Sequence, residues 1–291
     1  MTKIQDYDSV NYDYREYWRD REYENLSEVN ILKKIIKEGK NFIDVGGAYG
    51  RLTPIYQDKF KYSILFDYSY KNLKRAKVGS NVFRVCGDIY NLPFKDNSIE
   101  GGMCVRVMHH IESPELAIKE LSRVISSDFY LEFANKNNFL ALIRSKFSSK
   151  YRRLNTIKIQ HKKDSQGFIE DQVFLNFSPK FIKKIINPYF EIKEEYSVSN
   201  FRQKILKNIF PLKFLIFLDN LFQGIFKIIS FGPSIFLKLE KKSREKFILK
   251  DIEDILICPK CKSDLSKTRC PKCKIDYLDK VGIFNFRLSH F

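Results

Sequence analysis

The residues of this chain best suited to chemistry fall into three groups, and the first is a glycine-rich turn with acids spaced behind it. Asp44, Gly46, Gly47, Ala48 and Gly50 occupy the run DVGGAYG, which follows an apolar stretch and precedes a helical one. Glycines in such a place let the backbone turn tightly and approach a ligand closely. Asp67, in ILFDYS, lies about twenty residues further on, where a carboxylate accepts both hydroxyls of a ribose. Asp88, in CGDIYNLPF, is suited to accept a hydrogen bond from an adenine amino group, and Asp44 either orders the loop or meets an ammonium group. Taken alone, the loop reads equally as a plain strand-to-helix turn, and with one acid it also suits a nicotinamide dinucleotide.

The second group is Cys258-Pro-Lys-Cys261 and Cys270-Pro-Lys-Cys273, separated by eight residues. One such pair reads equally as a redox couple. Two of them point to a tetrahedral thiolate zinc site, closed by four protein ligands and therefore structural. The third group is His109 and His110 at the end of an apolar run. Either imidazole is suited to take a proton from an oxygen or nitrogen nucleophile, and the alternative is that one caps the strand while the other packs. Arg51, Asn135 and Asn137 are further candidates for contact with an acceptor.

These residues need a scaffold, and the hydropathy pattern describes one. Residues 14–38 have Leu26, Val29, Leu32, Ile35 and Ile36 at helical spacing, stopped by Gly39. From Asn41 onward short apolar runs (41–45, 62–67, 81–86, 101–108 and 128–133) alternate with helical stretches, among them Pro114–Val124 with Ser113 as its N-cap. A strand over 172–177, a helix over 179–186 and a strand over 190–198 follow. This makes roughly seven strands, the pattern of a doubly wound, mostly parallel α/β sheet that closes near residue 200. The expected division is a cofactor-binding domain over 1–200, a basic amphipathic helical segment over 201–250 and a zinc ribbon over 251–291.

In order along the chain, NFIDVGGAYG, Asp67, GDIYNLPFKDNSIEGGMCVRVMHHI and ELSRVI resemble the class I S-adenosylmethionine-dependent methyltransferases of the small-molecule type. The resemblance implies a seven-stranded sheet with S-adenosyl-L-methionine in its cleft, and the ordered match favours methyl transfer over hydride transfer. It places Asp44, Gly46, Gly47, Ala48, Gly50, Asp67, Tyr68, Asp88, Ile89 and Arg106 around the cofactor. Tyr12, Tyr14, Tyr17 and Trp18 resemble the N-terminal lid of that family, where aromatic faces exclude water and meet the sulfonium. Two departures stand out. Ala48 replaces the usual middle glycine, which is tolerable while its backbone angle stays negative. The usual proline-glycine-glycine turn after ELSRVI is missing, so Ser126, Ser127 and Asp128 make a tighter connection. Residues 252–287 resemble the small zinc-ribbon family whose stand-alone members activate several tRNA and protein methyltransferases, which implies a built-in stabilising or substrate-presenting module.

The net charge of +17 over 291 residues is concentrated. Residues 141–163 hold eight basic side chains and no acid, and residues 201–250 hold eleven basic and three acidic ones. Two such segments suggest surfaces that face anionic groups on lipid or nucleic acid. Within the second, Phe214, Leu215, Leu218, Leu221, Phe222, Ile225 and Ile229 share a broad helical face, while Lys213, Asn220, Gln223 and Lys227 mark the other. Asp219 argues against a spanning helix, leaving a lid or an interfacial membrane helix. The N-terminus MTKIQDYDSV lacks the apolar core of a secretory signal, and Cys86 and Cys104 sit in apolar strands, so the expectation is a cytoplasmic protein, peripheral at the inner membrane surface, without disulfides. The favoured acceptor is a small molecule or lipid. RNA or a translation-associated protein is the alternative, ranked lower because no motif such as Asn-Pro-Pro-Tyr is found, and no obligate protein partner is expected.

Overall fold

Strands β1 (Gly39–Val45), β2 (Phe60–Asp67), β3 (Val82–Cys86), β4 (Ile99–Cys104) and β5 (Ile125–Ala134) are almost continuously buried, as strands covered on both faces must be. The computed structural model describes residue 8 and residues 14–138, 156–158, 174–225, 232–243 and 251–287. Short β6 (Thr156–Lys158) and β7 (Leu175–Phe177) pair with each other. The main sheet is completed by β8 (Phe190–Val198), β9 (Ser234–Lys241) and β10 (Ile283–Asn285), in the order β10-β3-β2-β1-β4-β5-β9-β8. All neighbours are parallel except β9, which is antiparallel to β5 and β8. The chain runs outward from β1 to β2 and β3 on one side, then returns to β4 and β5 on the other. Ligands of such sheets bind outside the carboxyl ends of the strands where the order reverses.

Helices cover both faces. On one, α1 (Glu22–Ile35) lays Ile31, Leu32 and Ile35 over Phe42, Tyr56, Tyr130 and Phe236. On the other, α4 (Pro114–Val124) and α5 (Pro179–Ile186) bury Ile118, Leu121, Ile182 and Ile186 against Ile43, Ile64, Phe129 and Phe133. The shorter α2 (Thr53–Tyr56) and α3 (Tyr70–Arg75) follow β1 and β2.

Three expectations are corrected here. The strand expected over 172–177 is β7, which belongs to the small two-stranded sheet, and residues 171–173 lie outside the described residues. The sheet does not close near residue 200, because its antiparallel strand β9 comes from the stretch expected to be a helical appendage. Lysines in SIFLKLEK disguise that strand, yet cross-strand partners absorb their charge: Lys238 Nζ lies 3.1 Å from Glu194 Oε1, and Lys193 Nζ lies 3.1 Å from Glu240 Oε2. Helix α1 is rotated relative to the predicted face, with Tyr23, Ser27, Glu28 and Ile31 inside and Leu26 and Val29 only half-buried. The basic segment 141–163 lies outside the described residues apart from 156–158.

The C-terminal ribbon shares the core of the sheet. Strand β10 extends the β3 edge, with Phe286 N donating to Cys86 O at 2.7 Å and Arg84 Nη2 to Val281 O at 2.6 Å. Ile255, Leu256, Cys258, Cys270, Tyr277, Phe284 and Phe286 are buried in one cluster with Phe66, Val85 and Phe94. Full burial of an edge strand by a neighbouring module leaves no surface on which the two halves separate cheaply. The whole chain should therefore melt in one cooperative transition, and Phe286→Ala should lower it at a cost of about 3 kcal/mol. A ribbon transition separate from that of the sheet in calorimetry would contradict this packing.

Candidate active site

The glycine turn begins where β1 ends. Gly46 has φ 75°, and a Cβ there would meet Val107 Cγ2 at 2.2 Å; a Cβ on Gly47 would meet Leu65 Cδ1 at 2.4 Å and Asp44 Oδ2 at 2.6 Å. Both positions thus exclude any side chain. Their amides donate to Phe66 O at 2.7 and 3.1 Å, tying the loop to the end of β2. Ala48 has φ 49°, in the left-handed region and not the negative angle expected. The conformation costs about 1 kcal/mol, and it directs Ala48 N at Asp67 Oδ2, 2.8 Å away. Asp67 Oδ1 accepts from Ser69 N at 2.7 Å. Gly50 (φ 81°) closes the turn through its amide to Gly47 O at 2.9 Å.

Beside this turn lies a partly open cavity with Gly46, Ala48, Asp67, Tyr68, Ile89, Tyr90, Arg106 and His110 among its walls. Asp67 is nine-tenths buried, and burial pushes its carboxyl up to about 6 despite the opposing backbone hydrogen bonds from Ser69 and Ala48. A carboxylate has about four acceptor positions, and the backbone amides of Ser69, Ala48 and Tyr68 do not use them all. Asp88 does not line the cavity: its Oδ1 accepts from Tyr90 N at 2.7 Å, while its neighbours Gly87 and Ile89 do line it. Burial raises its carboxyl above the usual range.

A smaller adjoining space shares Tyr14, Gly46, Ala48 and Arg106 with the first and adds Trp18, Asp44, Gly47, Tyr49 and Arg51. Asp44 is buried, accepts from Tyr56 Oη at 3.2 Å, and is raised to about 7 by desolvation. Two guanidinium groups stand over it, fixed by an acid that the sequence reading did not single out. Arg51 Nη2 meets Glu28 Oε2 at 2.7 Å, and Arg106 Nε meets Glu28 Oε1 at 2.6 Å. Arg51 also stacks 3.7 Å above the Trp18 ring. Arg106 itself has φ 62°, and its amide donates to Glu132 Oε2 at 2.9 Å, a second buried acid held by Ser234. The signal for Glu28 was present: it is a charged residue on the stripe of α1 that Ile31, Leu32 and Ile35 identify as inward.

The two histidines pack together. Strand β4 ends at Cys104, earlier than expected, and both lie on the 3-10 turn Met108–His110. Both rings contact Phe174, His109 stacked at 5.4 Å and His110 edge-on at 4.7 Å, and of the two His110 lines the cavity. Tyr14 lines both cavities and stacks on Tyr17 at 5.5 Å. Asn135 faces neither. Its amide and its Nδ2 donate to Pro233 O and Gly232 O, each at 2.9 Å, and its Oδ1 accepts from Asn137 N at 2.8 Å, so it anchors the entry to β9. Tyr12 lies outside the described residues.

The four cysteine sulfurs converge within 4.8 Å of one another, with Cys258 and Cys273 at 3.8 Å and Cys261 and Cys270 at 3.5 Å. Sulfurs around a tetrahedral zinc ion are about 3.8 Å apart for bonds of about 2.3 Å, whereas a disulfide requires about 2.05 Å. Lys262 and Lys274, one residue beyond each pair, adopt positive φ (58° and 62°) and turn the two knuckles toward each other.

The sheet order, the cavity at its switch point, and a carboxylate tied to a glycine turn define a doubly wound α/β protein with a site at the carboxyl ends of its strands. Residues 43–132 match a methyltransferase domain. An uncharacterized protein of Methanocaldococcus jannaschii is 29% identical over 140 residues, 47% of this chain and 56% of that protein. The chain thus spans about half the length of the curated relative it matches. Among solved structures, a SAM-dependent methyltransferase from Thermotoga maritima is similar over 79% of this chain and 94% of its own, with TM-score 0.54 and 20% identity. A complex of a Haloferax volcanii methyltransferase activator with a methyltransferase gives TM-score 0.53 at 14% identity, over 80% of this chain and 94% of that one. Magnesium protoporphyrin IX methyltransferase from Synechocystis with bound SAH gives 0.50 at 14%, over 79% and 93%. The fold is that of the S-adenosylmethionine-dependent methyltransferases, and residues 43–132 carry the methyltransferase domain.

Two outcomes follow from the buried charges. Between the ordinary carboxyl range and about pH 7, folded protein retains on Asp44 a proton that the unfolded chain has lost, so without ligand its stability should fall as pH rises across that interval. Asp44→Asn should flatten this slope in thermal melts taken from pH 5 to pH 8, and an unchanged slope would locate the proton elsewhere. Glu28→Gln, which leaves two guanidinium groups short of their partner, should cost about 3 kcal/mol in chemical denaturation; a neutral result would mean that water replaces the carboxylate.

Proposed function

We propose that this protein transfers the methyl group of S-adenosyl-L-methionine to a small-molecule or lipid-like acceptor. One observation supports it most: the cavity at the switch point brings Asp67, the glycine turn and His110 to a single space. Asp67 would accept from the ribose hydroxyls, and Tyr68 and Ile89 would flank the purine. In the smaller space Asp44 would hold the ammonium of the methionine part, and Arg106, kept charged by Glu28, its carboxylate. Asp88 then acts indirectly, by shaping the turn that presents Ile89 and Tyr90. The cofactor supplies an electrophilic methyl group on a sulfonium, and the transfer is an in-line displacement that needs approach geometry and a dry site more than a strong base.

Tyr14 and Trp18 would close the space over the loop as a lid, and Arg51 beside Trp18 would offer positive charge to a polar end of the acceptor. His110 is positioned to accept the proton of an oxygen or nitrogen nucleophile. His109 supports it through ring contact at 4.0 Å. The walls contributed by Val107, Ile111, Phe66 and Ile89 favour an acceptor that is largely apolar. Cys258, Cys261, Cys270 and Cys273 would hold one structural zinc ion. The likeness to an activator-bound methyltransferase, together with this ribbon on the β3 edge, favours a second reading in which the acceptor is RNA or a translation-associated protein.

One experiment separates these readings. Protein incubated with cell extract and labelled S-adenosylmethionine should place label in the lipid or small-molecule fraction, and Asp67→Ala should reduce it by about a hundredfold, the loss of hydrogen bonds to a charged group. Label in RNA or protein would select the second reading, and no label in any fraction would overturn the activity.

A further inference from the structure

Past β8 the chain forms two helices, α6 (Lys204–Ile209) and α7 (Leu212–Ile225). One side of α7 is firmly seated: Leu215, Asp219 and Gln223, at successive helical turns, are buried. The Asp219 carboxylate accepts from Asn200 N at 2.9 Å, Asn200 Nδ2 at 2.8 Å and Gln223 Nε2 at 3.0 Å, so the one acid of this segment faces inward. The opposite side is apolar as well. Phe214, Phe217 and Leu221 repeat at helical spacing, and Ile205, Ile209 and Phe210 continue the strip along α6 and the connection. Six of the nine large hydrophobic side chains exposed among the described residues lie here, with Ile205 at 71%, Ile209 at 65% and Phe217 at 63% exposure.

A helix packed on one side against its own domain should present polar residues on the other. Here the exposed charges of the two helices themselves are the lysines Lys204 and Lys213, and their single carboxylate, Asp219, is buried. An apolar strip whose own exposed charges are all positive is complementary to an anionic lipid surface, where such helices lie in the plane of the interface. No helix among the described residues is long and apolar enough to cross a membrane, which agrees with a helix that lies on one. RNA would call for a denser cationic face, and the centre of this one is aliphatic.

The strip is also joined to the site. Phe201 N donates to Tyr23 Oη at 2.9 Å, which ties the base of α6 to α1, and α1 carries Glu28 beneath Arg51 and Arg106. We propose that α6 and α7 dock the enzyme on an anionic bilayer, so that its acceptor is a molecule dissolved in that bilayer. The choice of acceptor rests on the methyltransferase reading above, whereas the docking does not.

Flotation of the full chain with vesicles of phosphatidylcholine alone, and with phosphatidylglycerol added, tests docking directly. The protein should float with the anionic vesicles about tenfold more than with the neutral ones. Replacing Ile209→Glu together with Phe217→Glu should reduce flotation by about tenfold or more while leaving the melting temperature unchanged. Failure of the native protein to float, or equal flotation of the variant, would overturn the proposal. So would sedimentation showing that the same variant splits a dimer, or its loss of salt-sensitive RNA binding. Methyl transfer to a soluble acceptor, measured in parallel, distinguishes failure of docking from failure of the catalytic reading.

Discussion

The carboxylate of Asp67 is the constraint around which the site is organised. Its two oxygens receive Ala48 N from the glycine turn and Ser69 N from the start of α3, so one side chain fixes the ends of β1 and β2 relative to each other. Burial makes that arrangement expensive for a bare charge, which is why the group is raised to about 6. Under the proposed function, ribose hydroxyls would complete its hydrogen bonding in the charged form. The turn and the carboxylate are two parts of one network, and the left-handed backbone of Ala48 aims its amide at that carboxylate.

Two further devices hold the walls around this centre. Glu28, completely buried on α1, spans Arg51 and Arg106 and so attaches the first helix to the loop and to the end of β4. On the far side, β10 and the cysteine knuckles extend the sheet from β3, and Arg287 Nη1 reaches both Asp8 Oδ2 at 2.7 Å and Tyr68 O at 3.3 Å. Asp8 in turn accepts from Ser69 Oγ and from the amides of Tyr70 and Lys71, at the N-terminus of the helix that follows Asp67. Residues near both ends of the chain thus meet at the rim of the cavity.

Much of this was legible in the sequence where local pattern and tertiary environment agree. Strands β1 to β5 are covered on both faces, so they read as unbroken apolar runs; the glycine turn and the paired knuckles are fixed by short-range geometry. The failures occurred where distant partners decide. Strand β9 looks like part of a basic segment until Glu194 is set beside Lys238. Glu28 stands on the inward stripe of α1, but the two arginines that pair with it lie 23 and 78 positions away. The left-handed Ala48 is stabilised by a carboxylate nineteen positions away, and neither the direction of His109 toward Phe174 nor that of Asn135 toward Gly232 follows from residue type.

We propose that Asp67 holds both the loop and the ribose of the methyl donor. Calorimetric titration with S-adenosylmethionine and with its 2′-deoxy analogue isolates that contact, because the protein is unchanged between the two. One site per chain is expected, with affinity for the analogue lower by about tenfold or more, the worth of a hydrogen bond to a charged group. Equal affinity for the two, or binding of neither, would contradict it.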